Sequence, residues 1–475
     1  MTQQGVRWTA DQVLALAPDA PSQRAGSKLG VAGPWSETGS SGEGTVWGLC
    51  KGSGSKPYQT VVDITGGAGA GGAGAGGAGA GGAGAGGAAG PAYKCSCPSR
   101  KFPCKHALGL LLLWSGDDAA VPDGAPVPDW ADEWLAGRRK RAEGKSGDGG
   151  GSSGGGSAGP EAARRRAERR AERVTAGATE LEQRLTDLLR GGLATAEQAG
   201  YGLWEETAAR MVDAQAPGLA ARVRELGTIP SSGPGWPVRL LEECALLHLL
   251  DQGWLHRASL PEGLAATVRS RIGLPAAAEG APLRDLWLVL AQYDTSDSKL
   301  TTRRIWLHGS RSGRPALLLS YGAAGRAPAL ALPVGLALDA ELTPYPGAGR
   351  LRADLGEQFA PPAPTSARPP GLRPAEAVVR YGTALRDDPW LDSWPVTLDG
   401  VIPAPVPGED EWQLTDADGD FALPLTPTAT SRPGLWRLAA LSGGAPVTVF
   451  GECGHRGFTP LAAWPQEAGE AISLC

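Results

Sequence analysis

Alternating and apolar runs mark the first 65 residues as a short helix followed by two strands. Thr9 is placed to cap a helix that contains Val13 and that Pro18 ends. The segments 45–50 (TVWGLC) and 58–64 (YQTVVDI) are rich in β-branched and aromatic residues, and the turn-forming sequence KGSGSKP lies between them. The pattern therefore predicts one helix and a pair of strands joined by a turn.

Helical patterns dominate the middle of the chain. A helix is predicted from near Pro160 to about Arg190, with charged residues in its first part and an amphipathic pattern in its second. Further helices are predicted at 203–226, 237–252 and 261–272. This part of the chain is therefore expected to be mainly helical.

After about residue 285 the pattern changes to short apolar runs separated by Gly, Pro and Asp turns, which is typical of strands. The predicted strands are LWLVLAQYD, RRIWLHG, ALLLSYG, LALPVGLALDAEL, WPVTLDGVI, WRLAAL and VTVFGE. Helices followed by strands, without regular alternation, favour an α+β fold.

Two low-complexity segments interrupt these patterns and divide the chain. Residues 66–90 repeat a GGAGA unit whose side chains are no larger than a methyl group, so we expect a flexible insertion without a core. A Gly/Ser-rich stretch near residue 150 is typical of an interdomain linker. We therefore expect an N-terminal domain over 1–136, a flexible basic linker with the start of a charged helix over 137–175, and a C-terminal domain over 176–475.

Charge and cysteine usage restrict the class of protein. A net charge of -5 and a pI near 5.7 give no global field that would attract nucleic acid or an acidic membrane, so such binding must be local. Neither a signal peptide nor a run of roughly 18 apolar residues is found. Seven cysteines, clustered in part, indicate metal binding in a reducing compartment instead of a disulfide framework. We expect a cytoplasmic protein, and the richness in Ala, Gly, Arg and Pro suggests a bacterial source.

The chemistry of the chain is concentrated in a C-x-C, six residues, C-x-H pattern. In an extended segment residues two apart point the same way, so Cys95 and Cys97 can present both sulfurs to one ion. Cys104 and His106 follow at the start of an apolar run that predicts a helix. A Cys3His set binds zinc tetrahedrally and leaves no position for water, so we predict one structural Zn²⁺. The alternative is buried free cysteines beside an unrelated histidine.

Basic residues surround this predicted metal site. Lys94, Arg100, Lys101 and Lys105 lie within the same segment and are candidates for binding nucleic acid or a protein partner. Further basic runs occur at 138–141 and from Arg164 to Arg173, the second of which is explained more simply as a solvated charged helix.

The other candidate motifs predict structure, not chemistry. DADGD at 416–420 lacks the Gly and Glu of a calcium loop and predicts a hairpin turn. Cys453 and His455 have no partner pair nearby, whereas Cys244 and His248 lie one helical turn apart on a predicted core face. Neither a phosphate loop nor an HExxH helix occurs, so no catalytic residue is predicted.

The segment YKCSCPSRKFPCKHALGLLLLW, with GSGSKPYQTVVD ahead of it, resembles the SWIM zinc finger family and its long bacterial members. The likeness covers roughly residues 30–140, and the glycine repeat between the strands and the metal box departs from the common pattern. The resemblance implies zinc binding, together with DNA-binding or protein-interaction roles. It also implies, as companions, an AAA+ ATPase of the MoxR type and a protein with a von Willebrand A domain.

We therefore predict an α+β protein in which a small N-terminal ββα zinc-knuckle domain precedes a larger domain of helices followed by a strand-rich region. The predicted function is binding of nucleic acid, DNA in the first place, by the zinc finger. The alternative is a protein-interaction scaffold that works with an AAA+ ATPase. No membrane and no small-molecule substrate is expected as a partner.

Overall fold

The computed structural model describes residues 7–65, 90–146 and 160–475, apart from residues 43, 53, 55, 100, 195, 197–199, 298–299, 324–326 and 467–468. The GGAGA repeat and most of the Gly/Ser-rich linker therefore lie outside the described residues. The described residues form twelve α-helices and three antiparallel sheets, which confirms the α+β class. None of the described helices is long and apolar enough to cross a membrane.

The N-terminal unit is a four-stranded antiparallel sheet, in the order β1-β2-β3-β4, with helices on both faces. Its elements are α1 (Ala10–Leu14), α2 (Ala20–Ser27), β1 (Trp35–Ser40), β2 (Thr45–Cys50), β3 (Tyr58–Asp63), β4 (Ala92–Cys95), α3 (Lys105–Gly116) and α4 (Asp129–Ser146). Four strands precede α3, where the sequence predicted two. The strand β1 was not predicted, because its sequence, WSETGS, has few apolar residues.

Alternation along β2 and β3 sends neighbouring side chains to opposite faces of this sheet. Val46 and Val62 pack in one core with α3, whereas Trp47 and Val61 pack in another with Trp134 of α4. Both faces of the sheet are therefore covered. The strand β3 packs against α3 on one of these faces and pairs with β4 at its edge.

The middle of the chain forms a helical bundle. Its helices are α5 (Pro160–Gly191), α6 (Gly200–Asp213), α7 (Pro217–Thr228), α8 (Trp236–Leu255) and α9 (Glu262–Ile272). Leu181, Met211 and Trp254 lie in its core, and none of them is more than 1% exposed. One helix was predicted at 203–226, but Gln215 has a φ of 61° and Pro217 begins a new helix, so this stretch forms two.

The strand-rich region contains two six-stranded sheets and three helices. The second sheet has the order β10-β8-β5-β6-β7, with β9 also paired to β8, and the third has the order β13-β12-β11-β14-β15-β16. Strands of the second sheet are β5 (Leu283–Ser296), β6 (Leu300–Gly309), β7 (Pro315–Ala323), β8 (Leu336–Pro344), β9 (Ala353–Gln358) and β10 (Ala363–Pro364). The rest of this region comprises α10 (Pro374–Asp387), β11 (Ser393–Pro405), β12 (Trp412–Asp416), β13 (Ala422–Pro424), α11 (Pro427–Thr430), α12 (Gly434–Ser442), β14 (Val447–Gly454), β15 (Gly457–Trp464) and β16 (Ile472–Ser473).

One predicted strand of this region is wrong. The sequence WRLAAL belongs to helix α12, because Leu435 and Leu438, three residues apart, both face the core and Gly443 ends the helix with a φ of 52°. The hairpin turn predicted at 416–420 is confirmed: β12 and β13 pair antiparallel across it, and the Asp420 N–H donates to the Asp416 carboxylate.

A single hydrophobic core joins the N-terminal unit to the second sheet. Leu108 and Leu111 of α3 belong to the same buried cluster as Trp287 of β5 and Ile305 of β6. In addition, the Trp8 indole N–H donates to the carbonyl oxygen of residue 362 over 3.0 Å. A domain boundary near residue 136 stays a prediction, but buried apolar contacts cross it, so α3 connects the predicted metal site to the strand-rich region.

Candidate metal centre

The first thiol lies at the end of β4, where pairing with β3 holds it in place. Cys95 stands opposite Thr60, and the Thr60 hydroxyl lies 3.3 Å from Cys95 Sγ. Tyr93, two residues earlier, packs with Cys95 against the core that contains α3. The pleat therefore points Cys95 toward α3 and directs Lys94 to the opposite face of the sheet.

The second thiol follows a residue that is tied to the sheet. The Ser96 N–H donates to the Gln59 carbonyl over 3.0 Å, and the Gln59 N–H donates to Ser96 Oγ over the same distance. These two bonds continue the contact with β3 one residue beyond β4. Cys97 therefore leaves the sheet next to Cys95, as the C-x-C spacing predicted.

The remaining two donors lie at the start of α3. Cys104 is the N-cap residue, with extended φ and ψ values of -76° and 167°, and its carbonyl accepts the first helical bond from the Leu108 N–H. His106 lies in the first turn. Cys104 and His106 are only 1% and 5% exposed, because the leucines that follow them anchor this helix in the core.

The four donor atoms converge to within 4.8 Å of one another, and Cys95 Sγ lies 3.7 Å from His106 Nδ1. A tetrahedral zinc with bonds of about 2.3 Å to sulfur and 2.0 Å to nitrogen separates its ligands by about 3.5 to 3.8 Å. Movements of about 1 Å are therefore sufficient to close the site around the ion. Within the part of the chain that the structure describes, this is the one cluster of at least three His, Cys, Asp or Glu side chains with metal-ligand spacing.

Contacts between the thiols determine where their protons lie. The hydrogen bond with Cys104, aided by burial, raises the pKa of Cys95 to about 12, and the same bond lowers the pKa of Cys104. Burial raises the pKa of Cys97. Zinc binds thiolates, so these thiols must release protons when the ion binds. The soft sulfur donors select zinc over magnesium, calcium or manganese.

Two residues of β3 support the donors from behind. The Tyr58 ring packs on His106 with a centroid distance of 4.8 Å and an angle of 37° between the ring planes. Thr60, which is fully buried, contacts the Cys95 sulfur. Such neighbours orient metal ligands. Sequence reasoning placed both residues on a strand but did not link them to the metal, because the register between β3 and β4 was unknown.

Residues 90–114, which contain β4, all four donors and most of α3, match the family model of the SWIM zinc finger. This segment is a SWIM zinc finger. Residues 169–272, from within α5 to the end of α9, match the SWIM-associated four-helix bundle domain. No match is found among curated proteins or solved structures.

The SWIM zinc finger supplies a Cys3His site for one structural Zn²⁺ through Cys95, Cys97, Cys104 and His106. With four protein donors, a bound zinc would have no position left for a reactive water. The ion would join the end of β4 to the start of α3, and its chemical role would be to hold these two elements together.

The basic residues predicted around the SWIM zinc finger differ in their surroundings. Lys94 and Lys105 are exposed. Lys101 is exposed too, but its ammonium pairs with Asp19 over 2.5 Å and lowers the pKa of that carboxyl to about 2. Arg100 lies outside the described residues. Lys94 and Lys105 are therefore accessible, whereas Lys101 already has a carboxylate partner.

The two other Cys and His pairs lie outside the metal centre. Cys244 and Cys453 are buried, at 1% and 2% exposed. The prediction that His248 lies in a core is wrong, since its side chain is 57% exposed and Nδ1 lies 2.7 Å from a Glu182 carboxylate oxygen. His455 lies beside the hydroxyl of Tyr381. Neither pair forms a metal cluster with other described residues.

Proposed function

We propose that the SWIM zinc finger binds nucleic acid, and DNA in preference, through exposed lysines on β4, at the start of α3 and beside the turn between β2 and β3. Lys94 and Lys105 are exposed, and neither makes an ion pair or a side-chain hydrogen bond with any described residue. The same holds for Lys51 and Lys56, which flank the turn between β2 and β3 next to Tyr58. Four free ammonium groups on one small unit provide contacts to backbone phosphates.

Charge is distributed unevenly over the N-terminal unit that contains the SWIM zinc finger. Acidic residues gather after the far end of α3, where Arg7 pairs with Asp118 and Asp123. Near the zinc-bearing end, by contrast, Asp19 is neutralised by Lys101. A Cys3His zinc site carries a charge of about -1, which the free lysines exceed. The local field therefore favours an anionic ligand although the chain is acidic overall.

The arginine-rich start of α5 contributes less to this proposal. Arg164 and Arg165 pair with glutamates one helical turn away. Arg170 and Arg173 donate to Gln215 in the bundle. Since these contacts already satisfy most of the guanidinium groups, the segment resembles a solvated charged helix. The proposed nucleic-acid contacts are therefore the lysines of the N-terminal unit.

We expect the double variant Lys94→Gln with Lys105→Gln to bind DNA roughly tenfold more weakly than the wild type at low salt. Each lysine that contacts a phosphate releases about one counterion, so the salt dependence should also fall by about two units of slope. Fluorescence anisotropy of a labelled DNA duplex over a range of salt concentrations measures both quantities. A labelled RNA of the same sequence tests the preference for DNA.

The matched control for this experiment is Lys28→Gln with Lys101→Gln. These changes remove the same charge from the N-terminal unit, but Lys28 lies at the far end of α2 and Lys101 is paired with Asp19. We expect the control to bind more tightly than the first variant. Equal loss in both variants, or no DNA binding by the wild type at low salt, would rule out the proposed surface.

A second candidate function is that of a protein-interaction scaffold. Three apolar side chains of α8 lie in solvent at helical spacing: Val238, Leu241 and Leu249 are 61%, 48% and 44% exposed. Exposed apolar patches of this kind often mark protein interfaces. On this alternative the SWIM-associated bundle docks a partner, for which we propose an AAA+ ATPase of the MoxR type that acts with a von Willebrand A domain protein.

A pull-down with a purified MoxR-type ATPase from the source organism tests this second candidate. We expect capture by the wild type and at least tenfold weaker capture by Leu241→Gln with Leu249→Gln, because the apolar contact is lost. Val212→Gln, which changes a 49% exposed apolar residue on α6, is the control and should bind normally. Absence of capture, or equal loss with the α6 variant, would argue against a docking face on α8.

We also propose a reducing, cytoplasmic location for this chain. None of the seven cysteines forms a disulfide, and three of them are zinc donors. Thiolates must stay reduced to bind zinc, and the cytoplasm keeps them so. The composition remains consistent with a bacterial source.

A further inference from the structure

A cavity of about 600 Å³ lies between the start of α9 and the second sheet, and no residue of the SWIM zinc finger lines it. Its walls come from the first turn of α9, from the chain that enters β5, from the start of β7 and from the segment between β8 and β9. Sites for small molecules typically have about 300 to 1,000 Å³ and occur where structural units meet. The cavity therefore has the size and the place of a ligand site.

Four charged side chains line this cavity without a partner. Arg314 and Arg350 are exposed into it, as are Glu262 and Glu279. None of the four side chains makes a hydrogen bond or ion pair with any residue that the structure describes. The cavity therefore presents two positive and two negative side chains that no described residue pairs with, and that a bound ligand can contact.

Two other arginines of the second sheet do have carboxylate partners. Arg284 makes a two-point hydrogen bond to Asp339, and Arg303 makes one to Asp294. Arg284 and Arg303 therefore have carboxylate partners on the sheet, whereas Arg314 and Arg350 have none among the described residues.

Tertiary pairing brings the chain segments that carry the two cavity arginines next to each other. The Leu317 N–H donates to the Leu351 carbonyl over 2.6 Å, and Leu317 forms a parallel bridge with Arg352. This register brings residue 350 beside the residue that follows Arg314. Both guanidinium groups line the same cavity, and an anion bound between two guanidinium groups accepts paired hydrogen bonds from them.

The backbone at Arg350 is strained in a way that a glycine would avoid. Its φ is 45°, in the left-handed region that side chains other than glycine rarely adopt. Residues held in such conformations cluster at ligand sites, where the side chain is needed in that position. The conformation at Arg350 therefore agrees with a use for its guanidinium in the cavity.

We propose that this cavity binds the phosphate monoester of a small hydroxyl-bearing molecule, such as a sugar phosphate or a nucleoside monophosphate. Arg314 and Arg350 hold the phosphate, whose three oxygens and nearly two charges match two guanidinium groups better than a carboxylate does. Glu262 and Glu279 then accept hydrogen bonds from the hydroxyl groups at the other end of the ligand. This inference is independent of nucleic-acid binding by the zinc finger.

Calorimetric titration of the full chain tests the proposed ligand class. The probes are ribose phosphate, adenosine monophosphate, inorganic phosphate, unphosphorylated ribose and acetate. We expect at least one of the two phosphate esters to bind at least tenfold more tightly than inorganic phosphate, ribose or acetate. Absence of binding by both esters at millimolar concentration overturns the proposal, and so does binding of inorganic phosphate as tight as that of the better ester.

Four variants connect binding to the named side chains. Arg314→Ala and Arg350→Gly are each expected to weaken ester binding at least tenfold, and glycine suits the backbone at residue 350, so the fold is retained. Glu279→Gln should weaken the ester but leave inorganic phosphate unchanged. Arg311→Ala, in the same turn between β6 and β7 but outside the cavity, is the charge-matched control. Thermal melts confirm folding, and equal losses in the control and the cavity variants contradict the assignment.

Discussion

Replacement of Cys104 by alanine is expected to abolish zinc binding and to unfold the SWIM zinc finger. Cys104 supplies one of four donors and also begins α3, and it is only 1% exposed. A structural zinc contributes roughly 10 to 16 kcal/mol to the folding of a small zinc domain. The free energy of unfolding of a whole domain is only about 5 to 15 kcal/mol, so the finger is not expected to stay folded without this ion.

The effect should extend beyond the finger because α3 shares its core with the second sheet. Leu108 packs in the same cluster as Trp287 and Ile305. We therefore expect the amides of β4 and α3 to lose hydrogen-exchange protection first, and those of β5 and β6 to lose part of theirs. Metal analysis of the purified chain measures the zinc content, which should fall from one ion to none.

The control for this experiment is Cys50→Ala. Cys50 is buried at the end of β2 in the same sheet, but it is not one of the four donors. Its replacement should cost about 1 kcal/mol of packing and leave one zinc per chain. Stoichiometric zinc in Cys104→Ala, or loss of zinc in Cys50→Ala, would show that the donor set is different.

Replacement of Asp251 by asparagine is expected to stabilise the SWIM-associated bundle by up to about 4 kcal/mol near neutral pH. Asp251 lies on α8, is fully buried, and has no hydrogen-bond partner among the described residues for either carboxylate oxygen. Burial raises its pKa from 3.8 to about 9, and the nearby Glu182 carboxylate adds to the rise. The folded chain therefore keeps this group protonated at neutral pH.

The direction of the pH dependence follows from where the proton is held. Below about pH 4 both the folded and the unfolded chain carry it, so it does not affect the free energy of unfolding. As pH rises from 3.8 toward about 9, the unfolded chain releases the proton and the folded chain retains it. The free energy of unfolding therefore falls across this window by about 1.4 kcal/mol per pH unit. Asparagine has no proton to release in this range, so the variant does not show this decrease.

Chemical denaturation of the full chain between pH 4 and about pH 9 measures this difference. The advantage of Asp251→Asn should grow steadily with pH, whereas the cost of a buried amide adds a constant at every pH. Asp213→Asn, an exposed carboxylate at the end of α6, is the control and should show no such trend. A difference that does not change with pH would mean that Asp251 is not protonated in the folded chain.

The zinc donors were predictable because they lie within twelve consecutive residues. Two thiols two apart on a strand and a Cys and His at a helix start reach one point through local geometry. The α+β class was predictable for a similar reason, since hydrophobic periodicity is a local property. Local pattern failed at WRLAAL in α12, because a short segment with five apolar residues out of six does not distinguish a strand from a buried helix.

The binding surfaces depended on contacts between distant residues. Lys101 and Lys105 are equivalent in the sequence, yet only the fold brings Asp19 to Lys101 and leaves Lys105 free of such a partner. In the same way, the sequence does not show that Arg350 lies beside the start of β7, because a bridge between distant segments creates that neighbourhood.

By itself, the sequence determined the metal, its four ligands and the helical and strand-rich halves of the chain, because spacing and periodicity act over a few residues. Only the tertiary structure decided that α3 shares its core with the second sheet, which charges remain unpaired, and that Asp251 is buried without a partner. The physical reason is that burial and pairing depend on the packing of all elements together, and residues far apart in the chain supply those contacts.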